Sequence, residues 1–120
     1  MNLFSMLMGK GDATRMSPAD YKRDYVDQKT AHQLIDVRSP AEFAEGHLAG
    51  AVNVPLQDLD RQLGKIKHNQ PVMLYCRSGN RSGMALQQLR SAGYTELYNL
   101  GGLGELAAQG LPVKQRKSAH

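Results

Sequence analysis

The chain has a single cysteine, Cys76, and it lies in the stretch PVMLYCRSGNRSG. Cys76 closes an apolar run over 72–76, and Arg77, Ser78, Gly79, Asn80 and Arg81 lead from it to Ser82. The chemistry open to a lone thiol at such a place is nucleophilic. The reactive species is the thiolate, and an ordinary thiol, with a pKa of about 8.5, is mostly protonated at neutral pH. The loop has a glycine and no proline, so every amide keeps its hydrogen, and amides that curl inward form a nest for an anion. A helix starting near Ser82 aims its unpaired N–H groups and positive dipole end at the same point. Arg77 and Arg81 add charge. Together these features lower a thiol pKa. The competing reading makes Cys76 a small buried hydrophobe, the usual fate of a lone cysteine. Strand end, glycine-bearing loop, two arginines and a helix start together favour the reactive reading. Ser78 and Ser82 have plainer readings as turn and N-cap residues. For Ser82 the cap is the simpler role, and a hydrogen bond to the sulfur is a second one.

The other charged candidates carry two readings each. A guanidinium matches an oxyanion in a forked geometry, so Arg77 and Arg81 are candidates for holding an anionic donor. Arg77 is expected to be the more exposed substrate contact. Arg81 either binds substrate or folds back onto a carboxylate such as Asp36 or Glu42 to brace the loop. Asp36 and Arg38 end a second apolar run, HQLIDVR. They either line the same crevice, or Asp36 tethers a neighbouring loop. His47 is set aside as a general base, because a thiol already ionised needs none. His32, His47, His68 and His120 show no paired ligand spacing. With one cysteine they make no zinc site, and no metal or organic cofactor is expected.

At 120 residues the chain is long enough for one domain and short for two. One cysteine allows no internal disulfide, which suits a reducing, cytoplasmic setting. The net charge is +4, partly from Lys114, Arg116 and Lys117 near the end. Two Phe and no Trp leave no aromatic-interleaved basic stripe, so nucleic acid is not an expected partner. The modest positive field suits a small anionic substrate. The opening MNLFSMLMGKGDA has no basic region before its short apolar stretch, which argues against a targeting signal. Residues 1–15 are read as a flexible leader, 16–113 as the domain and 114–120 as a basic, disordered tail. Nothing approaches the length of a membrane span.

These residues need a frame. Ser17-Pro18 and Ser39-Pro40 are helix starts, the second with Glu42 placed for a capping box. The first helix is expected to reach Gln28 with Tyr21, Tyr25 and Val26 on one face, and the second to end at Gly46. Leu56, Leu59, Leu63 and Ile66 recur at helical spacing, which predicts an amphipathic helix over 56–66. Strands are expected at HQLIDVR, AVNVP, VMLYC and ELYNL, with VMLYC central. A helix from Ser82 ends at Gly93, and GGLGELAAQG forms a last short one. Alternating strands and helices make an α/β domain with a mainly parallel sheet. In such sheets the ligand crevice lies beyond the carboxyl ends of the strands.

The sequence resembles the single-domain rhodaneses, a family of sulfurtransferases. LIDVRSPAEFAEGHLAGAVNVPL (34–56), CRSGNRS (76–82) and GGLGELAAQGLPV (101–113) carry the resemblance, which spans nearly everything from Ser17 onward. It implies a three-layer α/β fold, with a central, mainly parallel five-stranded sheet and helices on both faces. It also implies that Cys76 accepts a sulfur atom as a persulfide. The donor would be a small anion such as thiosulfate. The acceptor would be cyanide or a cellular thiol, including a protein thiol of the thioredoxin-like kind. Leu106 stands where family members often carry tryptophan, and Ser78 where some thiosulfate-specialised relatives carry a second cation. A non-catalytic docking module is the alternative, although inactive versions typically lose the cysteine. Related phosphatases and arsenate reductases place one residue more between cysteine and arginine, so the four residues from Arg77 to Asn80 disfavour that chemistry.

Overall fold

We analysed a computed structural model of the chain, which describes residues 14–115. The first 13 residues of the expected leader and most of the expected tail lie outside the described residues. The sheet has four strands, all parallel: β1 (Gln33–Asp36), β3 (Val52–Asn53), β4 (Val72–Cys76) and β5 (Leu97–Gly102), in the order β3-β1-β4-β5. The expected five strands are thus four among the described residues. The fifth position is taken only by an isolated parallel bridge from Arg15 to Asn99, with the Asn99 amide donating to Thr14 O and the Met16 amide to Asn99 O. A separate antiparallel pair joins β2 (His47–Leu48) to β6 (Val113–Lys114). Lys114, assigned to the tail from the sequence, is therefore a strand residue. The ladder holds it, and the Gln115 side chain donates to Glu45 O beyond it.

Strand alternation divides the interior into two layers. Val72, Leu74 and Cys76 face one side, with Ile35, Val54, Leu59, Ala85, Leu86 and Leu89. Met73 and Tyr75 face the other, with Tyr21, Leu34, Leu48, Leu100 and Leu106. Every residue of β4 is buried, as an apolar run that packs both its faces must be. Helix α3 (Asn80–Ser91) covers the first face. Helices α1 (Pro18–Tyr21) and α4 (Leu103–Ala108) cover the second, and Leu106 fills that core with no exposure.

Two helices depart from expectation. After α1 the chain continues as a π-helical turn, Lys22–Val26, with the Asp27 amide bonded to Lys22 O. The segment Leu56–Lys65 is 3₁₀ rather than α-helical, with Gln62 out of helical conformation. Leu56 and Leu59 stand one 3₁₀ turn apart, as do Leu63 and Ile66. The kink at Gln62 absorbs the four-residue step between them, so both pairs reach the core. Helix α2 (Pro40–Glu45) carries the expected capping box: Ser39 Oγ accepts from the Glu42 amide, and Glu42 Oε1 accepts from the Ser39 amide.

Candidate active site

The chain leaves β1 toward β3 on one side and leaves β4 toward β5 on the other. The crevice between the ends of β1 and β4 is therefore the switch point of the sheet. Asp36 closes β1 there, and Cys76 closes β4. Helix α3 begins at Asn80, two residues before the expected start, with Gly79 as its N-cap at φ +100°. Ser82 is therefore not the cap. It stands inside the first turn, where its amide and hydroxyl both reach the sulfur. Cys76 Sγ accepts from the Gly79 amide at 2.9 Å and lies 3.4 Å from Ser82 Oγ. Burial pushes this thiol up. Hydrogen bonds from the Ser82 hydroxyl and from the amides of Ser82, Gly79 and Ser78 outweigh it, so the thiol lies below its ordinary value. The nest exists. Its occupant is nonetheless covered: Cys76 has 0 % exposure in this conformation.

The arginines divide. Arg81 donates from Nη1 to Glu42 Oε1 at 2.7 Å and from Nη2 to Glu42 Oε2 at 2.9 Å, a bidentate brace from α3 to α2. This fork, with the two Ser39 bonds, holds the Glu42 carboxyl down at about 2 despite partial burial. Arg77 is 80 % exposed, and its nearest carboxylate oxygen, Glu42 Oε2, is 3.9 Å away. A cavity of about 580 Å³ opens beside it, lined by Arg38, Glu42, Leu103, Gly104 and Val113 among others.

Asp36 and Arg38 hold each other. Arg38 Nε donates to Asp36 Oδ1 at 2.9 Å, Nη2 to Oδ2 at 2.6 Å, and the Arg38 amide to Oδ1 at 2.9 Å. Arg38 Nη2 also donates to Gly46 O, and Asn53 Nδ2 donates to the carbonyls of both Asp36 and Arg38. The pair ties β1 to the end of α2 and to β3. His47 Nδ1 bonds Phe43 O at 2.7 Å, and its ring stacks on Phe43. Among the described residues no three His, Cys, Asp or Glu side chains gather in a way that could hold a metal.

Sequence reasoning missed two contributors. Asn99 interrupts the apolar strand β5, a polar residue where strands disfavour one, and that interruption was the available signal. It is 6 % exposed and sits at a bulge: Leu74 pairs with Asn99 and Tyr75 with Gly101, leaving Leu100 as the extra residue. Asn99 Oδ1 accepts from Ser82 Oγ at 2.7 Å and from the Gly101 amide at 3.0 Å, while Nδ2 donates to Gly79 O at 3.1 Å. The second is Gly102. A Cβ there would overlap the Arg77 carbonyl oxygen and lie 3.1 Å from its carbon. Only glycine lets the end of β5 come this close to the cysteine loop.

A loop of this build at the switch point of a parallel sheet defines a rhodanese-like domain. The family model of that name matches residues 17–109, and the chain belongs to the rhodanese-like family. It is 53 % identical over 70 residues to the uncharacterized protein YqhL of Bacillus subtilis, aligning 58 % of this chain with 56 % of that protein. Against the uncharacterized Synechocystis protein slr1261 it is 38 % identical over 113 residues, 93 % of this chain and 63 % of that one. The chain thus spans less than two thirds of either relative's length. It is 37 % identical over 79 residues to the Escherichia coli thiosulfate sulfurtransferase PspE, covering 64 % of this chain and 76 % of that protein. Among solved structures, the rhodanese-like domain of Anabaena Alr3790 superposes with a TM-score of 0.78 at 26 % identity, over 89 % of this chain and 86 % of that one.

Proposed function

We propose that the chain is a sulfurtransferase that carries a sulfane sulfur on Cys76. The observation that carries this reading is the set of donors turned onto the one thiol, from Gly79, Ser82 and Ser78, which favours its anion against burial. A cysteine that only filled space would need none of them. The kinship with named sulfurtransferases supports the same reading.

The cycle is double displacement. The Cys76 thiolate attacks the outer sulfur of a donor such as thiosulfate. A bond forms between Sγ and that sulfur, the bond to the sulfonate sulfur breaks, and sulfite leaves with the electron pair. Preorganised amides of Ser78, Gly79 and Ser82 stabilise the persulfide anion. A thiophilic acceptor then attacks the outer sulfur and returns the thiolate. Cyanide serves in an assay; a cellular thiol, small or on a protein, serves in the cytoplasm. Covalent catalysis of this kind gives ping-pong kinetics. Arg77, exposed at the surface, holds the anionic donor. Arg81 braces the Asn80–Ser82 turn through Glu42, and Asp36 and Arg38 hold the frame behind it. With the sulfur covered, loading requires the loop to move outward.

That covering also favours a second reading, a docking module that turns over nothing. A mass spectrum after thiosulfate treatment decides between them. Transfer gives one added sulfur, removed by cyanide and absent in Cys76→Ser. A folded chain that takes up no sulfur from any sulfane donor refutes the proposal.

A further inference from the structure

Ser82 Oγ cannot donate to both of its partners at once. Ser82 Oγ has one hydrogen and two possible acceptors, Asn99 Oδ1 at 2.7 Å and Cys76 Sγ at 3.4 Å. The Asn99 amide has one orientation only. Its Oδ1 faces the Gly101 N–H, a fixed donor, and its Nδ2 faces the Gly79 carbonyl, a fixed acceptor. The Ser82 hydrogen can therefore lie on Asn99 Oδ1 while Cys76 is a thiol, and the thiol hydrogen then faces a Ser82 lone pair. When the thiol proton leaves to solvent, the sulfur becomes the stronger acceptor, since hydrogen bonds to an ionised group are about twice as strong as neutral ones. The hydroxyl rotates onto it and no O–H bond breaks. Asn99 Oδ1 keeps the Gly101 N–H, so the rotation leaves no buried acceptor unpaired.

The geometry points to Asn99 as the positioning residue of this site, resting on the sulfurtransferase reading above: it parks the Ser82 hydrogen until the sulfur ionises. It also anchors Gly79, whose N–H lies on the sulfur, by holding the carbonyl of the following peptide. The two tasks are linked through the Gly79 backbone: its carbonyl, in the peptide to Asn80, is held by Asn99, and its amide, in the peptide from Ser78, lies 2.9 Å from Sγ. Ser82 and Asn99 are both buried, so water does not compete for either bond.

The charged groups around the sulfur come from every neighbouring element. They are Arg77 and Arg81 from the loop and α3, Asp36 and Arg38 from β1 and its end, Glu42 from α2, and Glu105 from α4, which reaches toward Gly101. The described histidines are engaged elsewhere, His32 with Tyr21, His47 with Phe43 and His68 with Tyr94. Cys76 is the one cysteine of the chain, so thiol alkylation is read at that residue.

The test is the pH profile of Cys76 alkylation by iodoacetamide in the full chain, compared with Asn99→Asp and Ser82→Ala. In Asn99→Asp the carboxylate grips the Ser82 hydrogen, adds a second negative charge and has no donor for Gly79 O. The midpoint is expected to rise by at least one pH unit, a tenfold loss of thiolate at pH values below both midpoints. In the double variant the two shifts should sum to less than their separate values. A folded Asn99→Asp with an unmoved midpoint, or strictly additive shifts, overturns the proposal. A residue that only packed the sheet edge would lower Tm and leave the midpoint alone. Should Asn99→Asp not fold, the wild-type chain still decides. The Asn99 side-chain amide resonances must titrate with the alkylation midpoint, and a flat response refutes the role. Sulfur loading measured on the same samples separates the two claims. A wild-type chain that takes up no sulfur refutes transfer, whereas an unmoved midpoint refutes Asn99 alone.

Discussion

The Arg81–Glu42 fork lends itself to a quantitative test through Glu42→Gln. The glutamine keeps one carbonyl oxygen for the Ser39 amide and Arg81 Nη1, where Glu42 Oε1 now serves both. Its NH₂ then faces Arg81 Nη2 at the 2.9 Å now spanned by a charge-assisted bond, donor against donor. The carboxyl is held at about 2 against an ordinary 4.5. At 1.36 kcal/mol per pH unit that lowering caps its contribution at about 3 kcal/mol. The side chains are 21 % and 36 % exposed, and solvent screening brings the figure to about 1–2 kcal/mol. For a domain of this size that is a fall in Tm of about 4–10 °C at pH 7. The sign in pH is fixed. A carboxyl depressed in the folded state stabilises fully above its unfolded value and loses that contribution as pH falls from about 4.5 toward 2. Urea unfolding of both proteins from pH 7 to pH 3 should show the gap shrinking, with more than half gone by pH 3. Equal stabilities at pH 7, or a gap as wide at pH 3 as at pH 7, would refute the brace.

Gly102→Ala forces a methyl into the Arg77 carbonyl, so it should cost about 2 kcal/mol or more and slow sulfur loading, read by urea unfolding and mass spectrometry. Arg77→Ala should leave Tm unchanged, because the side chain is exposed, and raise KM for thiosulfate about tenfold through loss of one charged hydrogen-bonding group. Leu106→Ala should cost about 2–5 kcal/mol by thermal or denaturant unfolding. Below its own Tm that variant should still load sulfur, since Leu106 packs the face of the sheet opposite Cys76.

How much of this was legible in the sequence follows from the range of each interaction. Local signals were readable: the Ser39-Pro40-Glu42 box, the buried run ending at Cys76 and the glycine-bearing loop are short patterns that fix their own geometry. The start of α3 was misread because Ser82 is a good N-cap by type, and Gly79, with its positive φ, took that place instead. The helix expected over 56–66 has the right leucines at the right steps. Helical spacing does not distinguish a smooth α-helix from two 3₁₀ turns joined at Gln62, since both bring the same four residues inward. The missed site residues are distant in the chain. Asn99 lies 17 residues from Ser82 and 20 from Gly79, and no window of sequence shows that a strand asparagine completes a loop formed so much earlier.

The same reasoning explains why charge is arranged as it is. An arginine pointed at a thiolate would lower its pKa, yet Arg81 spends its fork on Glu42, and the sulfur is served by neutral donors. Amide dipoles fixed by a helix start and by Asn99 stabilise an anion without neutralising it. On the proposed function, the thiolate thereby keeps the charge it would need to attack. A guanidinium locked onto the sulfur would also have to be displaced each time a donor arrived. On the proposed function, Arg77, exposed at the rim, would draw an anionic donor in without competing for the sulfur itself. The division predicts opposite signatures: changes at Asn99 or Ser82 move the pH midpoint of alkylation, while changes at Arg77 move KM and its salt dependence.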